Sequence, residues 1–156
     1  MNILVWNCRG AMKPSFCSTI RDLTNFHSPS IVVVTETRIS SSRAGDIIRT
    51  LPYDGIHTTD PIGYVGGIWL LRRTDMVDLD VLAATKQEVH AIVKVLNSPT
   101  PWLLSSIYGS PQFEERQVLW DNLCLVSLLH KLPWSIVGDI NDVLNSLKKK
   151  GATVLA

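Results

Sequence analysis

The sequence has no long apolar run. None of its 156 residues falls in a stretch that approaches the roughly 18 consecutive apolar residues needed to span a bilayer. The opening apolar run, residues 3–6, is cut short by Asn7, Cys8 and Arg9, which is not the shape of a signal peptide. We therefore expect a soluble intracellular protein, cytoplasmic or nuclear, with no membrane partner.

Cysteine and net charge are also scarce. Cys8, Cys17 and Cys124 are an odd number with no CxxC spacing, which is typical of reduced intracellular thiols and disfavours a disulfide framework or a zinc site. The formal net charge is only +1, so the strongly basic balance of a simple nucleic-acid-binding module is missing. A nuclease stays open, because its charge is often concentrated in one cleft. An unrelated nucleotide-binding domain is disfavoured, since no GxGxxG or P-loop pattern occurs.

The sequence does contain alternating apolar runs and helical patterns in a chain that is 46% apolar and 19% charged, as in ordinary globular domains. Helices are predicted over residues 14–27, 42–51 and 113–132. Strands are predicted over residues 3–6, 31–35, 55–59, 67–72, 76–83, 89–96, 102–107 and 134–137. The first two strands should be parallel neighbours. The fold class is therefore α/β or α+β, with helices covering a mixed sheet.

Polar residues occupy the ends of four of these strands. They are Asn7, Glu36, Tyr108, and Asp139 with Asn141. If the strands lie in one sheet and run the same way, these side chains meet at one edge, where ligands of open α/β sheets bind. Carboxylate and amide oxygens suit Mg²⁺ or Mn²⁺, and a second carboxylate can deprotonate a water. Each residue alone is more typical of turn chemistry, but the set predicts phosphodiester hydrolysis.

Five motifs surround these positions. Residues 2–10 read NILVWNCRG, residues 35–38 TETR and residues 66–69 GGIW. Residues 107–111 read IYGSP, and residues 133–144 read PWSIVGDINDVL. In this order they resemble the endonuclease domain of plant non-LTR retrotransposons, within the endonuclease/exonuclease/phosphatase superfamily. The last motif departs from the family's GDFNEVL at Ile140 and Asp142, and Lys148 stands where family members tend to have an acidic residue.

The resemblance implies a partial four-layered α/β sandwich of the deoxyribonuclease/AP-endonuclease type, with two sheets packed face to face between helices. Glu36 would hold Mg²⁺ or Mn²⁺, with Asn7 assisting at the metal or the phosphate. Tyr108 would contact the scissile phosphate. Asp139 would position or activate the attacking water, and Asn141 would steady the nucleophile and the transition state.

Arg9 and Arg38 are the candidate contacts to phosphate or nucleic acid, although an exposed arginine is more often a solvated surface charge. DNA is the substrate that the resemblance implies. Two alternatives stay open: a phosphatase of the same superfamily that acts on a smaller phosphoester, and a non-catalytic remnant that only associates with other chains.

The resemblance also implies that residues 1–156 form an incomplete domain that lacks its C-terminal part. Layered sheet domains routinely need about 200–250 residues. The family's late Asp-His pair has no counterpart, since His27, His57, His90 and His130 all precede Asp139. We therefore expect weak or no activity. We also expect an uncovered face on the first sheet, a large exposed apolar patch there, and self-association through it.

Overall fold

The computed structural model describes residues 1–142, which form eight strands and three helices. The strands are β1 (Ile3–Asn7), β2 (Ile31–Thr35), β3 (Gly55–Thr58), β4 (Ile68–Arg72), β5 (Val77–Ala84), β6 (Glu88–Val95), β7 (Trp102–Tyr108) and β8 (Trp134–Asp139). The helices are α1 (Phe16–His27), α2 (Ser41–Ile48) and α3 (Phe113–Leu129). Within residues 1–142, no helix combines the length and the apolar character needed to cross a membrane.

The first sheet has the strand order β1-β2-β4-β3. The predicted parallel pairing of the first two strands is confirmed, with Ile3 opposite Ile31 and Asn7 opposite Thr35. β4 runs antiparallel to both β2 and β3. Every residue of β2 is buried, which explains why this strand is a continuous apolar, β-branched run instead of an alternating one.

The second sheet has the order β5-β6-β7-β8, with β8 parallel to β7 and the other pairs antiparallel. The condition stated for the four polar strand ends, that their strands lie in one sheet, is therefore not met. β1 and β2 lie in the first sheet, and β7 and β8 lie in the second. The sequence pattern within a strand reports burial but not which distant strand it pairs with, so the division into two sheets was not visible locally.

The two sheets pack face to face, and alternation along each strand decides which side chains lie between them. Ile31 and Val33 of β2 lie between the sheets, in one buried cluster with Val89, Ala91 and Val93 of β6. The neighbouring β2 residues, Val32 and Val34, point the other way. They pack under α1 and α2 with Phe16, Ile20, Ile48 and Trp69. Each such side chain contributes about 1.5–3 kcal/mol on burial.

Helix α3 covers the outer face of the second sheet, where Leu119 and Leu123 pack against Ile107. The order of layers is therefore α1 and α2, the first sheet, the second sheet, and α3. This is the four-layered sandwich that the resemblance implied.

The expectation of an uncovered face on the first sheet is wrong. Both faces of that sheet are packed, because β5 to β8 all fall within the described residues and cover it. One group of exposed apolar side chains lies on α3 and on the outer strand β8: Phe113, Val118, Leu125, Leu128, Leu129 and Ile136. Self-association stays a prediction, but the uncovered sheet face through which it was expected is not present in residues 1–142.

Candidate active site

The polar strand ends meet at one edge of the sandwich, although they come from two sheets. We call this edge the rim and define it as Asn7, Glu36, Arg38, Tyr108, Asp139 and Asn141. Alternation explains the convergence. Val137 packs between the sheets, so Asp139, two residues on, faces the first sheet. Ile3 also packs between the sheets, so Asn7, four residues on, faces the second sheet.

Asp139 is held at both of its carboxyl oxygens. The Asn7 side chain donates from Nδ2 to Asp139 Oδ2 at 2.6 Å, a hydrogen bond between residues 132 positions apart. The backbone N–H of Asn141 donates to Asp139 Oδ1 at 2.9 Å. The Asn141 side chain is anchored in turn, because its Nδ2 donates to the Gly109 carbonyl at 2.7 Å. The structure therefore brings together three of the predicted catalytic residues with fixed orientations.

Glu36 forms an ion pair with Arg38 at the rim. The Glu36 side chain is 11% exposed and that of Arg38 is 43% exposed, so the guanidinium faces solvent and the carboxylate does not. Arg38 was predicted to contact phosphate or nucleic acid. In this structure its partner is Glu36, the predicted metal ligand.

The other rim residues affect the pKa of Tyr108. It is 4% exposed, and burial raises the pKa of its phenol. The negative charges of Glu36 and, more weakly, Asp139 raise this pKa further, while a hydrogen bond with the Asn141 side chain and the charge of Arg38 lower it. The phenol is therefore protonated at neutral pH and can donate a hydrogen bond to an anion. Tyr108 is also the register partner of Asp139 across β7 and β8.

The backbone is strained at four positions that are not glycine, three of them in the rim and the fourth, Arg9, close to Asn7. Their φ angles are +53° at Arg9, +58° at Glu36, +60° at Arg38 and +47° at Asn141. Among residues 1–142 the other two such positions are Ser28 and Asn97. Left-handed backbone at a non-glycine residue costs on the order of 1–3 kcal/mol and is concentrated at functional sites. Sequence reasoning missed this feature, because arginine and glutamate give no local signal for it.

The loop that carries Glu36 is clamped from both sides by backbone hydrogen bonds. Gly10 N–H donates to the Glu36 carbonyl at 2.8 Å, and Arg38 N–H donates to the Gly66 carbonyl at 3.0 Å. Gly67 has φ +90°, and a Cβ there would collide with the Thr37 hydroxyl. The glycine pair of the GGIW motif therefore lets β4 approach this loop closely.

Arg9, which is the other predicted phosphate contact, and the four histidines are not part of the rim. Arg9 has an exposed side chain, and its backbone N–H donates to Asn7 Oδ1 at 3.3 Å. His90 is buried under α3, where Nδ1 pairs with the Ser105 hydroxyl at 2.6 Å. Within residues 1–142, none of the four histidines forms a hydrogen bond or ion pair with a rim residue.

The oxygen donors at the rim fit a particular kind of metal ion. No group of three or more His, Cys, Asp or Glu side chains in residues 1–142 is arranged to hold a metal. Mg²⁺ does not need such a cage, since it keeps several waters and is commonly held by one or two carboxylates. The carboxylates of Glu36 and Asp139 and the amide oxygen of Asn7 are oxygen donors of the kind that this ion accepts.

No protein-family description matches the sequence and no curated protein matches it, but solved structures share its fold. An endonuclease/exonuclease/phosphatase family protein from Bacteroides thetaiotaomicron aligns with a TM-score of 0.65 and 13% identity over 89% of this chain and 62% of its own. A mannosyl-6-phosphatase from the same organism gives 0.65 and 13% over 89% and 64%. TDP2 from D. rerio, complexed with a single strand DNA product, gives 0.62 and 15% over 90% and 60%.

The chain therefore has the fold of the endonuclease/exonuclease/phosphatase proteins. It spans 60–64% of the length of these three neighbours. At 13–15% identity the likeness concerns the fold alone.

Proposed function

We propose that this chain carries the site of a divalent-metal-dependent phosphodiester hydrolase that acts on DNA, and that its own activity is weak. The observation that carries the proposal is the hydrogen bond from Asn7 to Asp139, which joins the two sheets at 2.6 Å. It sets a fixed carboxylate beside a phenol whose pKa responds to both Glu36 and Asp139. Two carboxylates, an amide and a phenol around one rim are the groups that phosphodiester hydrolysis uses.

Each rim residue has a proposed task. Glu36 would hold Mg²⁺ or Mn²⁺, with the Asn7 oxygen assisting, and the ion would supply Lewis-acid stabilisation of charge on the phosphate. Asp139 is oriented by two hydrogen bonds and would accept a proton from the attacking water. Tyr108 would donate to a phosphate oxygen, and Asn141 would steady the nucleophile. Arg9 and Arg38 would contact the DNA backbone.

A retrotransposon endonuclease is the proposed origin. The five motifs that resemble the plant non-LTR family are separated in sequence, yet they supply the rim and the loops that support it. Residues 7–10, 36–38, 66–67, 108–109 and 138–141 are linked there by hydrogen bonds. This arrangement supports a shared role for the motifs.

Two alternatives each have an observation in their favour. A phosphatase for a small phosphoester is favoured by the fold shared with the mannosyl-6-phosphatase. A non-catalytic remnant is favoured by the absence of a histidine partner at the rim within residues 1–142. Removing one member of a cooperating catalytic group lowers rates by orders of magnitude.

Nicking of supercoiled plasmid by the purified chain in Mg²⁺ or Mn²⁺ tests the proposal. We expect slow nicking that EDTA abolishes and that Glu36→Gln lowers by about 100-fold or more, because the carboxylate that holds the ion is lost. Glu114→Gln is the matched control, since Glu114 is exposed in the first turn of α3.

The other outcomes separate the alternatives. Hydrolysis of a small phosphomonoester with no nicking would favour the phosphatase. A folded chain that cleaves neither substrate would favour the remnant. Nicking that Glu36→Gln leaves unchanged would refute the assigned metal ligand.

A further inference from the structure

A cavity of about 220 Å³ lies directly beside the rim. We call it the Tyr108 pocket. It is formed by the β3–β4 loop, the start of β6 and the turn into α3, and its walls include Ile62, Val65, Gly66, Gln87, Tyr108 and Pro111. Tyr108 therefore belongs to both the rim and the pocket. Its hydroxyl lies near the rim carboxylates, and its ring lies against Gly66. A molecule whose phosphate reached Tyr108 would have its neighbouring group at this pocket.

The pocket holds no unpaired charge. Its lysine, Lys86, donates from Nζ to Glu115 Oε1 at 2.5 Å, so the two charged walls neutralise each other. Glu115 also accepts a hydrogen bond from Ser110, and these two partners hold the pKa of the Glu115 carboxyl below its usual range. An anionic group would find no free cation in the pocket. The part of the ligand that enters it should be uncharged.

The walls combine apolar surface with one fixed amide. Ile62 is 60% exposed and Val65 46% exposed, and Tyr64 between them is 86% exposed, an unusual density of exposed apolar side chains for one loop. Gln87 is buried, with Oε1 accepting from Ser110 N–H at 2.8 Å and Nε2 donating to the Glu115 carbonyl at 2.9 Å. Its amide keeps one further donor and one further acceptor position.

We propose that the Tyr108 pocket binds a nucleobase of the substrate, adjacent to the phosphate at the rim. This rests on the proposed function and specifies a nucleic acid over a small sugar phosphate. A nucleobase is flat, uncharged and apolar on its faces, which suits Ile62, Val65 and Pro111, and polar at its edge, which suits Gln87. A sugar phosphate would leave the apolar walls without a partner.

Ligand-observed saturation-transfer NMR tests the pocket without metal or cleavage. The two probes are deoxyadenosine, which has a base and no phosphate, and deoxyribose 5-phosphate, which has the reverse. We expect the chain to bind deoxyadenosine and Ile62→Glu to weaken this binding at least tenfold, because the new carboxylate charges an apolar wall. Ile56→Glu is the matched control, since Ile56 is 47% exposed on β3 and does not line the pocket.

Equal deoxyadenosine binding by the Ile62→Glu variant and the unmodified chain would overturn the proposal, as would no binding by the unmodified chain. Deoxyribose 5-phosphate binding that depends on Ile62 would overturn it in favour of a small phosphoester. Because the nucleoside needs neither ion nor hydrolysis, base binding in a chain that fails to nick plasmid would refute only the hydrolase. Nicking without base binding would refute only the pocket.

Discussion

Single side chains at the rim are oriented by hydrogen bonds to protein partners. Both oxygens of Asp139 accept hydrogen bonds, and the Asn7 amide uses its nitrogen on Asp139 and its oxygen on the Arg9 backbone. Leaving such a group unpaired costs about 1–3 kcal/mol, so the arrangement fixes orientation before any ligand arrives. Together with the left-handed backbone at Glu36 and Asn141, this is the preorganisation expected of a reactive site.

Cys8 gives a test of this packing at the scale of one residue. It lies between Asn7 and Arg9, is 6% exposed, and its thiol contacts the Glu36 carbonyl at 3.5 Å. Burial raises its pKa to about 11. Because the thiolate is the reactive form, we expect Cys8 to resist Ellman's reagent at pH 7.5 and to react faster only as the pH approaches 11.

The other two thiols provide the comparison. Cys17 and Cys124 are exposed, so the native chain should release two thiol equivalents quickly and the third only after unfolding. The doubly substituted chain Cys17→Ser, Cys124→Ser should show almost no fast reaction. A fast third equivalent in the native chain would mean that the loop beside Glu36 is open and that the rim is not held as described.

The residue chemistry of the rim could be predicted from the sequence, but its conformation could not. Asn7, Glu36, Tyr108 and Asp139 each follow an apolar run, and these residues meet at one edge although they come from two sheets. The ion pair between Glu36 and Arg38 was not predicted, since both residues fit other roles equally well. The pairing of Asn7 with Asp139 spans 132 positions, and no local pattern encodes such a contact.

At the scale of elements, close approaches of backbone position the strand ends. Gly138 has φ +128°, and a Cβ there would collide with the Ile107 carbonyl on the neighbouring strand β7. Gly109 is equally confined, because its added Cβ would collide with the backbone of Ile140. These glycines let β8 run beside β7 up to Asp139 and then turn, so that Asn141 returns to bond Gly109.

Gly138→Ala should therefore lower the free energy of unfolding by about 2–4 kcal/mol, because it adds both a steric clash and a disfavoured φ. Urea denaturation followed by circular dichroism measures it. Gly45→Ala in α2 is the matched control. Gly45 has open space around its Cβ position and lies in a helix, so alanine should stabilise the chain by about 0.5–1 kcal/mol. Equal effects of the two substitutions would contradict the described packing of β7 and β8.

Most elements could be predicted because apolar runs and helical patterns are separated by turn residues. β2 has the predicted bounds, and the other strands differ by one or two residues at their ends. α3 ends at Leu129 instead of residue 132, because the backbone at His130 is extended. The sheet order was beyond local patterns. Val137 and Asp139 lie on the same face of β8, the face that packs against the first sheet. Alternation along the strand therefore gives the direction of Asp139, but only if two packed sheets are already assumed.

At the scale of the whole molecule, residues 1–142 build four packed layers with the rim along one edge. The interior between the sheets and the layer under α1 and α2 are filled. The α3 and β8 surface is one of the less covered parts, with Leu128 72% and Leu129 67% exposed. The solved neighbours are longer than this chain, which spans 60–64% of their length.

The rim needs both sheets, since Asn7 and Glu36 come from one and Tyr108 and Asp139 from the other. Binding of a divalent ion there would therefore require the two sheets to be assembled and would also support the proposed metal-dependent chemistry. Isothermal titration of Mn²⁺ into the folded chain, its Glu36→Gln variant and the Glu114→Gln control measures this directly. We expect one site in the unmodified chain and the control, and binding at least tenfold weaker in Glu36→Gln. Equal binding by all three, or none by the folded unmodified chain, would contradict a metal-dependent site at the rim.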